Sequence, residues 1–101
     1  MVVDTSALLA ILQQEPESTT FAEAIESAEA HFRIVAFDAE QASLARLAWR
    51  RFGKGRHRAR LNFGDCAAYA LSKSSGEPLL FKGDDFTQTD VAPYILPSGP
   101  L

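Results

Sequence analysis

Four aspartates stand where chemistry can be done. Asp4 closes the apolar run Met1, Val2, Val3 and is followed by two hydroxyls, Thr5 and Ser6. Asp84 and Asp85 follow a second apolar run, Leu79, Leu80, Phe81, while Asp65 comes directly after an arginine-rich loop. A short apolar run that gives way to helix-cap residues reads as a buried strand, a tight turn and a helix. In a parallel sheet the carboxyl ends of strands share the edge where ligands collect, so Asp4 and Asp84 or Asp85 are expected on one edge. Carboxylates that gather raise each other's pKa; such a cluster is either partly protonated or holds a hard cation. An all-oxygen set without paired Cys or His suits Mg²⁺ or Mn²⁺ better than Zn²⁺. Each acid also has a plainer role: Asp4 as a helix cap, Asp65 as a helix-start charge that complements the dipole.

The net charge of −3 conceals an asymmetry. Arg50, Arg51, Lys54, Arg56, Arg58 and Arg60 are six of the ten basic residues and lie in one stretch with His57; the rest of the chain sets four bases against thirteen acids. Guanidinium groups bind phosphates bidentately, and such density is self-repelling unless an anion meets it; the plainer alternative is a solvated loop. A basic segment leading into Asp65 points to a polyphosphate chain as substrate and to cation-assisted phosphodiester hydrolysis, with the arginines on the backbone. His57 has no second His or Cys at ligand spacing and reads as a solvated loop residue.

The elements that must position these groups follow from pattern. The 101 residues, 47% apolar and 23% charged, suit one small soluble domain of the α/β class. No stretch approaches a transmembrane span, no signal-peptide n-region precedes the first strand, and the lone Cys66 suits a reducing cytoplasm. A first helix is expected from about Thr5 to Gln14, ended by Glu15 and Pro16. A second runs to about Ala28, with Phe21, Ala22, Ala24, Ile25 and Ala28 on its apolar face and Glu23, Glu26 and Glu29 outward. His31 to Phe37 reads as a strand. Asp38 with Gln41 resembles a capping box opening a third helix, whose buried face would hold Ala42, Ala45, Leu47, Ala48, Trp49 and Phe52. Glu40 in its first turn complements the dipole. After the loop Gly53 to Leu61, Asn62 caps a fourth helix with the small apolar stripe Phe63, Cys66, Ala67, Ala70, Leu71, ended by Gly76. Leu79 to Phe81 is the second apolar strand, and the proline-rich tail from Pro93 reads as irregular.

The segments VVDTSALLAIL, FGKGRHRARLNFGDCAAYALSK and EPLLFKGDDFTQTD together resemble the PIN-domain toxins of the VapC type, at both ends of the chain. The resemblance implies a Rossmann-like, three-layer α/β fold over residues 1–101. It also implies Mg²⁺-dependent ribonuclease activity, a homodimer, and inhibition by a cognate antitoxin. By position it makes Asp4 the first metal-binding acid and Asp65 the third. Asp85 matches the acid of the family's terminal Asp-Phe; the acid two residues earlier in many members falls on Gly83 here, so Asp84 or Asp85 takes that role. Thr5 and Ser6 match the hydroxyls that support the first acid.

One departure stands out. Family members carry a further acid, a glutamate, on a helix after a second strand. Here HFRIVAFDAEQ follows the second helix almost at once, so a middle section is missing around residues 32–36. Glu26, Glu29 and Glu40 each lie in the wrong element to replace it. Three function classes follow: a metal-dependent ribonuclease toxin, a silent remnant that binds antitoxin or RNA, and a phosphotransfer domain. The last is disfavoured because no Asp-x-Asp follows the first strand.

Overall fold

Two short apolar runs meet as the centre of the molecule. The computed structural model describes residues 1–16, 18–27 and 35–95. Its elements are β1 (Val2–Val3), α1 (Thr5–Leu12), α2 (Ser18–Ser27), α3 (Ala39–Phe52), α4 (Phe63–Ser75) and β2 (Leu79–Leu80), followed by a 3₁₀ turn over Phe86–Gln88. β1 and β2 pair in parallel, Val2 opposite Leu79 and Val3 opposite Leu80. Strand side chains alternate between faces, and this register uses both. Val2 and Leu79 pack into a cluster with Ala45, Ala48 and Phe52 of α3 and Cys66, Tyr69 and Ala70 of α4. Val3 and Leu80 pack with Ala7 of α1 and Phe21 of α2. The strands are therefore covered on both faces, which is why they read as unbroken apolar runs, and the expected three layers are present.

Caps fix where the helices begin. Asp38 starts α3, its side chain accepting from the Gln41 N–H at 2.9 Å. The expected reciprocal bond is not made: the Gln41 amide reaches across to the Ser74 hydroxyl of α4 at 3.0 Å. Asn62 and Asp65 form a complete capping box at the start of α4, and Gly76 ends it in the left-handed region. α3 buries Ala45, Ala48 and Phe52, a stripe at the 3- and 4-residue spacing of one helix face. That register turns Leu47 and Trp49 outward, 58% and 37% exposed, and corrects their assignment to the core.

Other expectations need correcting. α1 ends at Leu12, not Gln14. Of the segment expected as a strand, 31–34 lie outside the described residues, and Val35 to Phe37 are exposed and in no strand; Phe37 instead meets Phe63 edge to face at 5.8 Å. The tail is not wholly irregular. Leu79 donates to the Ala92 carbonyl at 2.8 Å and accepts from the Tyr94 N–H at 2.9 Å. Those bonds bypass Pro93, which needs no N–H there; residues 96–101 lie outside the described residues. The end of α2 at Ala28 also lies outside them.

Gly53 closes α3 and opens the basic loop. Its N–H bonds the Trp49 carbonyl, and the Leu61 N–H bonds the Phe52 carbonyl, so the loop is clamped at its base. A Cβ on Gly53 would stand 2.3 Å from the Trp49 carbonyl oxygen and 2.7 Å from its ring. Backbone cannot yield as a side-chain tip can. Gly53→Ala is therefore expected to cost about 1–3 kcal/mol, the usual price of overpacking, read as a lower denaturation midpoint at unchanged slope.

A polar clamp holds the C-terminal segment to the α3–α4 layer. The Tyr69 hydroxyl donates to Asp90, which also faces Arg51 and Lys73 at 3.4 Å each. The Tyr69 bond, then Lys73 and Arg51, hold the Asp90 carboxyl below its ordinary value of 3.8 against some desolvation. Burial, with Asp90 second, pushes the Tyr69 phenol up to about 12. A depressed carboxyl stabilises the fold fully above its unfolded value and loses that contribution as pH falls through its folded value. Asp90→Asn should thus be less stable than the parent at pH 7, and the gap should close below about pH 4, near the unfolded carboxylate value; urea melts across that range check it.

Candidate active site at the strand ends

Asp4 is 5% exposed. Its backbone N–H donates to the Leu80 carbonyl at 2.9 Å, which ties it to the end of β2. Its Oδ2 accepts from the Ser6 N–H at 2.9 Å, so Asp4 does cap α1, and the cap spends one carboxylate oxygen. Ser6 does two jobs: its hydroxyl also accepts from the Lys82 N–H at 2.9 Å. The start of α1 is thereby bound to the chain leaving β2 toward Asp84 and Asp85. An ion pair between Lys82 and Glu15 adds a second tie between these segments. Thr5 is exposed beside Asp4.

Asp65 is half-buried in the first turn of α4, the helix that packs on both strands. It accepts from the Asn62 N–H at 2.9 Å. Burial raises its pKa above the ordinary carboxylate value; the charges of Asp4 and Asp85 raise it further, and the Asn62 bond opposes them. Of the two adjacent acids, Asp85 is the one whose charge reaches Asp65. Asp84 is exposed, and its carbonyl accepts from the Thr87 N–H and hydroxyl of the 3₁₀ turn. Next to Asp65, burial and the neighbouring carboxylate push the Cys66 thiol up to about 11, which leaves it an inert apolar filler.

Oxygen donors that repel one another are the kind of set a hard cation relieves. In kind and charge the residues fit Mg²⁺ or Mn²⁺. In number they fall short: among the described residues no three His, Cys, Asp or Glu side chains come together closely enough to hold a metal ion. No described glutamate closes the set. Glu40 is exposed in the first turn of α3 and Glu15 pairs with Lys82, while Glu29 lies outside the described residues.

A cleft of about 350 Å³ opens beside Asp4. One wall is β1 with Thr5; the others come from 35–37, Gln41, and Gly64, Ala67, Ala68 and Leu71 of α4. Among the described residues β1 is paired on one side only, so the cleft lies open to the small-residue stripe of α4.

The basic loop has more structure than its composition suggests. His57 is half-buried: its Nδ1 accepts from the Ala59 N–H at 3.0 Å, and its ring meets Phe52 edge to face at 5.1 Å. It is a loop brace, which corrects its reading as solvated. Arg51 faces Asp90 and lies 4.8 Å over Phe52. Arg56 lies 4.3 Å over the Trp49 ring, a surface pairing the sequence reading missed. Arg50, Lys54, Arg58 and Arg60 are exposed. No described helix is long and apolar enough to cross a membrane.

The PIN domain profile matches residues 27–92. Ribonuclease VapC30 of Mycobacterium tuberculosis is 43% identical over 131 residues, covering 96% of this chain and 100% of the relative. Ribonuclease VapC of Mycolicibacterium smegmatis is 45% identical over 126 residues, covering 91% of this chain and 98% of the relative. Ribonuclease VapC42 of M. tuberculosis is 36% identical over 128 residues, covering 92% and 98%. With a domain match over most of the chain and relatives aligned nearly end to end, this protein belongs to the PIN-domain family, in its VapC type.

Proposed function

We propose that the chain is a Mg²⁺-dependent endoribonuclease toxin of a toxin–antitoxin pair, acting in the cytoplasm as a homodimer restrained by a cognate antitoxin protein. The observation that supports this reading is the juncture at Ser6, which binds Asp4 at the end of β1 to the chain leaving β2 toward Asp85, while the charges of Asp4 and Asp85 both act on Asp65. Asp4 and Asp65 each keep one carboxylate oxygen outside their capping bonds and would hold the cation, with Asp85 adding its charge nearby and not a third close ligand. When bound, the cation supplies neutralisation of developing charge and an activated water. Ser6 fixes the Asp4 rotamer. Thr5 stands beside it, Asp84 orders the turn that carries Asp85, and the exposed Arg50, Lys54, Arg56, Arg58 and Arg60 draw in and hold the RNA backbone, with Arg51 shared with Asp90.

The site is one carboxylate short, and we place the loss in the middle section around residues 32–36. Supporting this, the alignment with VapC30 runs over 131 residues while this chain has 101, so the relative carries positions with no residue here. The open cleft along β1, with Val35 to Phe37 at its wall, is where a further strand would fit. A second reading, RNA or antitoxin binding without cleavage, is favoured by the missing third ligand among the described residues. Single-stranded RNA incubated with Mg²⁺, with and without EDTA, separates the two. Cleavage abolished by EDTA supports the nuclease; retention of RNA without cleavage supports the binder.

A further inference from the structure

Trp49 and Arg56 make a stacked pair on the surface at the mouth of the basic loop. Trp49 is the chain's only tryptophan, and it is 37% exposed although the same helix had buried positions to offer. The Arg56 guanidinium carbon sits 4.3 Å from the ring centroid. The pair is held from below. Gly53 presses against the Trp49 ring without room for a Cβ. The loop that carries Arg56 is closed at its base by the Gly53–Leu61 bridge and braced by His57 against Phe52. Arg50, Lys54, Arg58 and Arg60 flank it in sequence, are exposed and make no ion pair among the described residues. Trp49 lies one turn before the end of α3 and Asp65 in the first turn of α4. The two helices pack on each other, so both residues stand at the same end of the helical hairpin.

We infer that Trp49 and Arg56 form a stacking platform for one unpaired nucleobase of the RNA, so that the loop grips a base as well as phosphates. The inference rests on the RNA reading above and adds a contact that requires a single-stranded segment. A guanidinium already seated on an indole offers its outer face to a second aromatic plane, and bases stack on such surfaces regardless of sequence. A double helix, its bases already stacked inward, could not use it. The held loop matters because a preorganised pair loses less side-chain freedom on binding.

Trp49 fluorescence reads this contact directly. A short single-stranded oligoribonucleotide titrated into the whole protein in EDTA, so that nothing is cleaved, should quench Trp49 strongly. Inorganic polyphosphate of matched charge should bind with little quenching. Arg56→Lys keeps the charge but not the planar surface, and should weaken oligonucleotide binding about five- to a hundredfold, the range for losing one base stack, with a much smaller loss of polyphosphate binding. Trp49→Phe, followed by anisotropy of labelled RNA, should retain more affinity than Trp49→Ala. Equal quenching by both ligands, or equal loss of both in Arg56→Lys, would overturn the platform and leave a phosphate contact only. Quenching by an acidic peptide but not by RNA would also overturn it and assign the loop to a protein partner. Continued EDTA-sensitive cleavage with no quenching would reject the platform while the nuclease reading stands.

Discussion

Asp4→Asn and Asp65→Asn should each lower Mg²⁺-dependent RNA cleavage by at least about a thousandfold, several kcal/mol of lost charge stabilisation at about 1.4 kcal/mol per decade. Both substitutions keep an oxygen where the cap needs one, for the Ser6 N–H and the Asn62 N–H respectively, so the fold should survive. Stability should move the other way from activity at Asp65. Burial, then the Asp4 and Asp85 charges, raise its carboxyl. A raised carboxyl favours folding fully below its unfolded value, and that advantage is lost as pH rises through the folded value. At pH 7 the ionised group is a cost, and Asn resembles the protonated form. Asp65→Asn should therefore melt at or above the parent temperature in metal-free buffer, and the difference should shrink as pH falls toward 4, near the unfolded carboxylate value. Parental cleavage rates in both variants would show that the acids have been assigned wrongly.

The combined change of Arg56, Arg58 and Arg60 to Ala should flatten the salt dependence of RNA binding. Each phosphate contact to a single strand contributes about 0.7 to the slope of log K against log salt, so three lost contacts remove about two units. The three side chains are exposed, and the loop's bracing runs through His57, Phe52 and Leu61, so the substitutions should leave the fold intact. Binding measured from low to physiological salt in EDTA gives the slope without interference from cleavage. An unchanged slope would mean that the loop faces something other than the RNA backbone.

The sites most legible in the sequence are those set by local rules. Asn62 before α4, Asp38 before α3 and Gly76 after α4 are cap chemistry that a few adjacent residues dictate, and all three caps are present, though the box expected at Asp38 is only half made and the one at Asn62 is completed by Asp65. The two apolar runs were readable because a strand covered on both faces has no polar side to show. What failed was set by tertiary register. Leu47 and Trp49 are as apolar as their neighbours, and only the stripe Ala45, Ala48, Phe52 says which way α3 turns; that spacing was available in the sequence. Val35 to Phe37 have strand composition, yet a strand needs a partner, and no described strand pairs with them. His57 looked solvated because its brace, Phe52, belongs to the preceding helix. Within the candidate site, Asp4, Asp65 and Ser6 could be named as candidates from the sequence. That the charge of Asp85 acts on Asp65 could not be read there, since it depends on how the turn at Phe86–Gln88 points the chain.

Binding of Mn²⁺ to the purified protein, followed by the loss of its free electron paramagnetic resonance signal and reversed by excess Mg²⁺, tests the cation site without requiring turnover. One weak site is expected, with a dissociation constant of about 10⁻⁴–10⁻³ M as for oxygen sites with few charged ligands, together with loss of that binding in Asp4→Asn and in Asp65→Asn. Mn²⁺ binding that is unchanged in both variants, or absent from the parent protein, would contradict it.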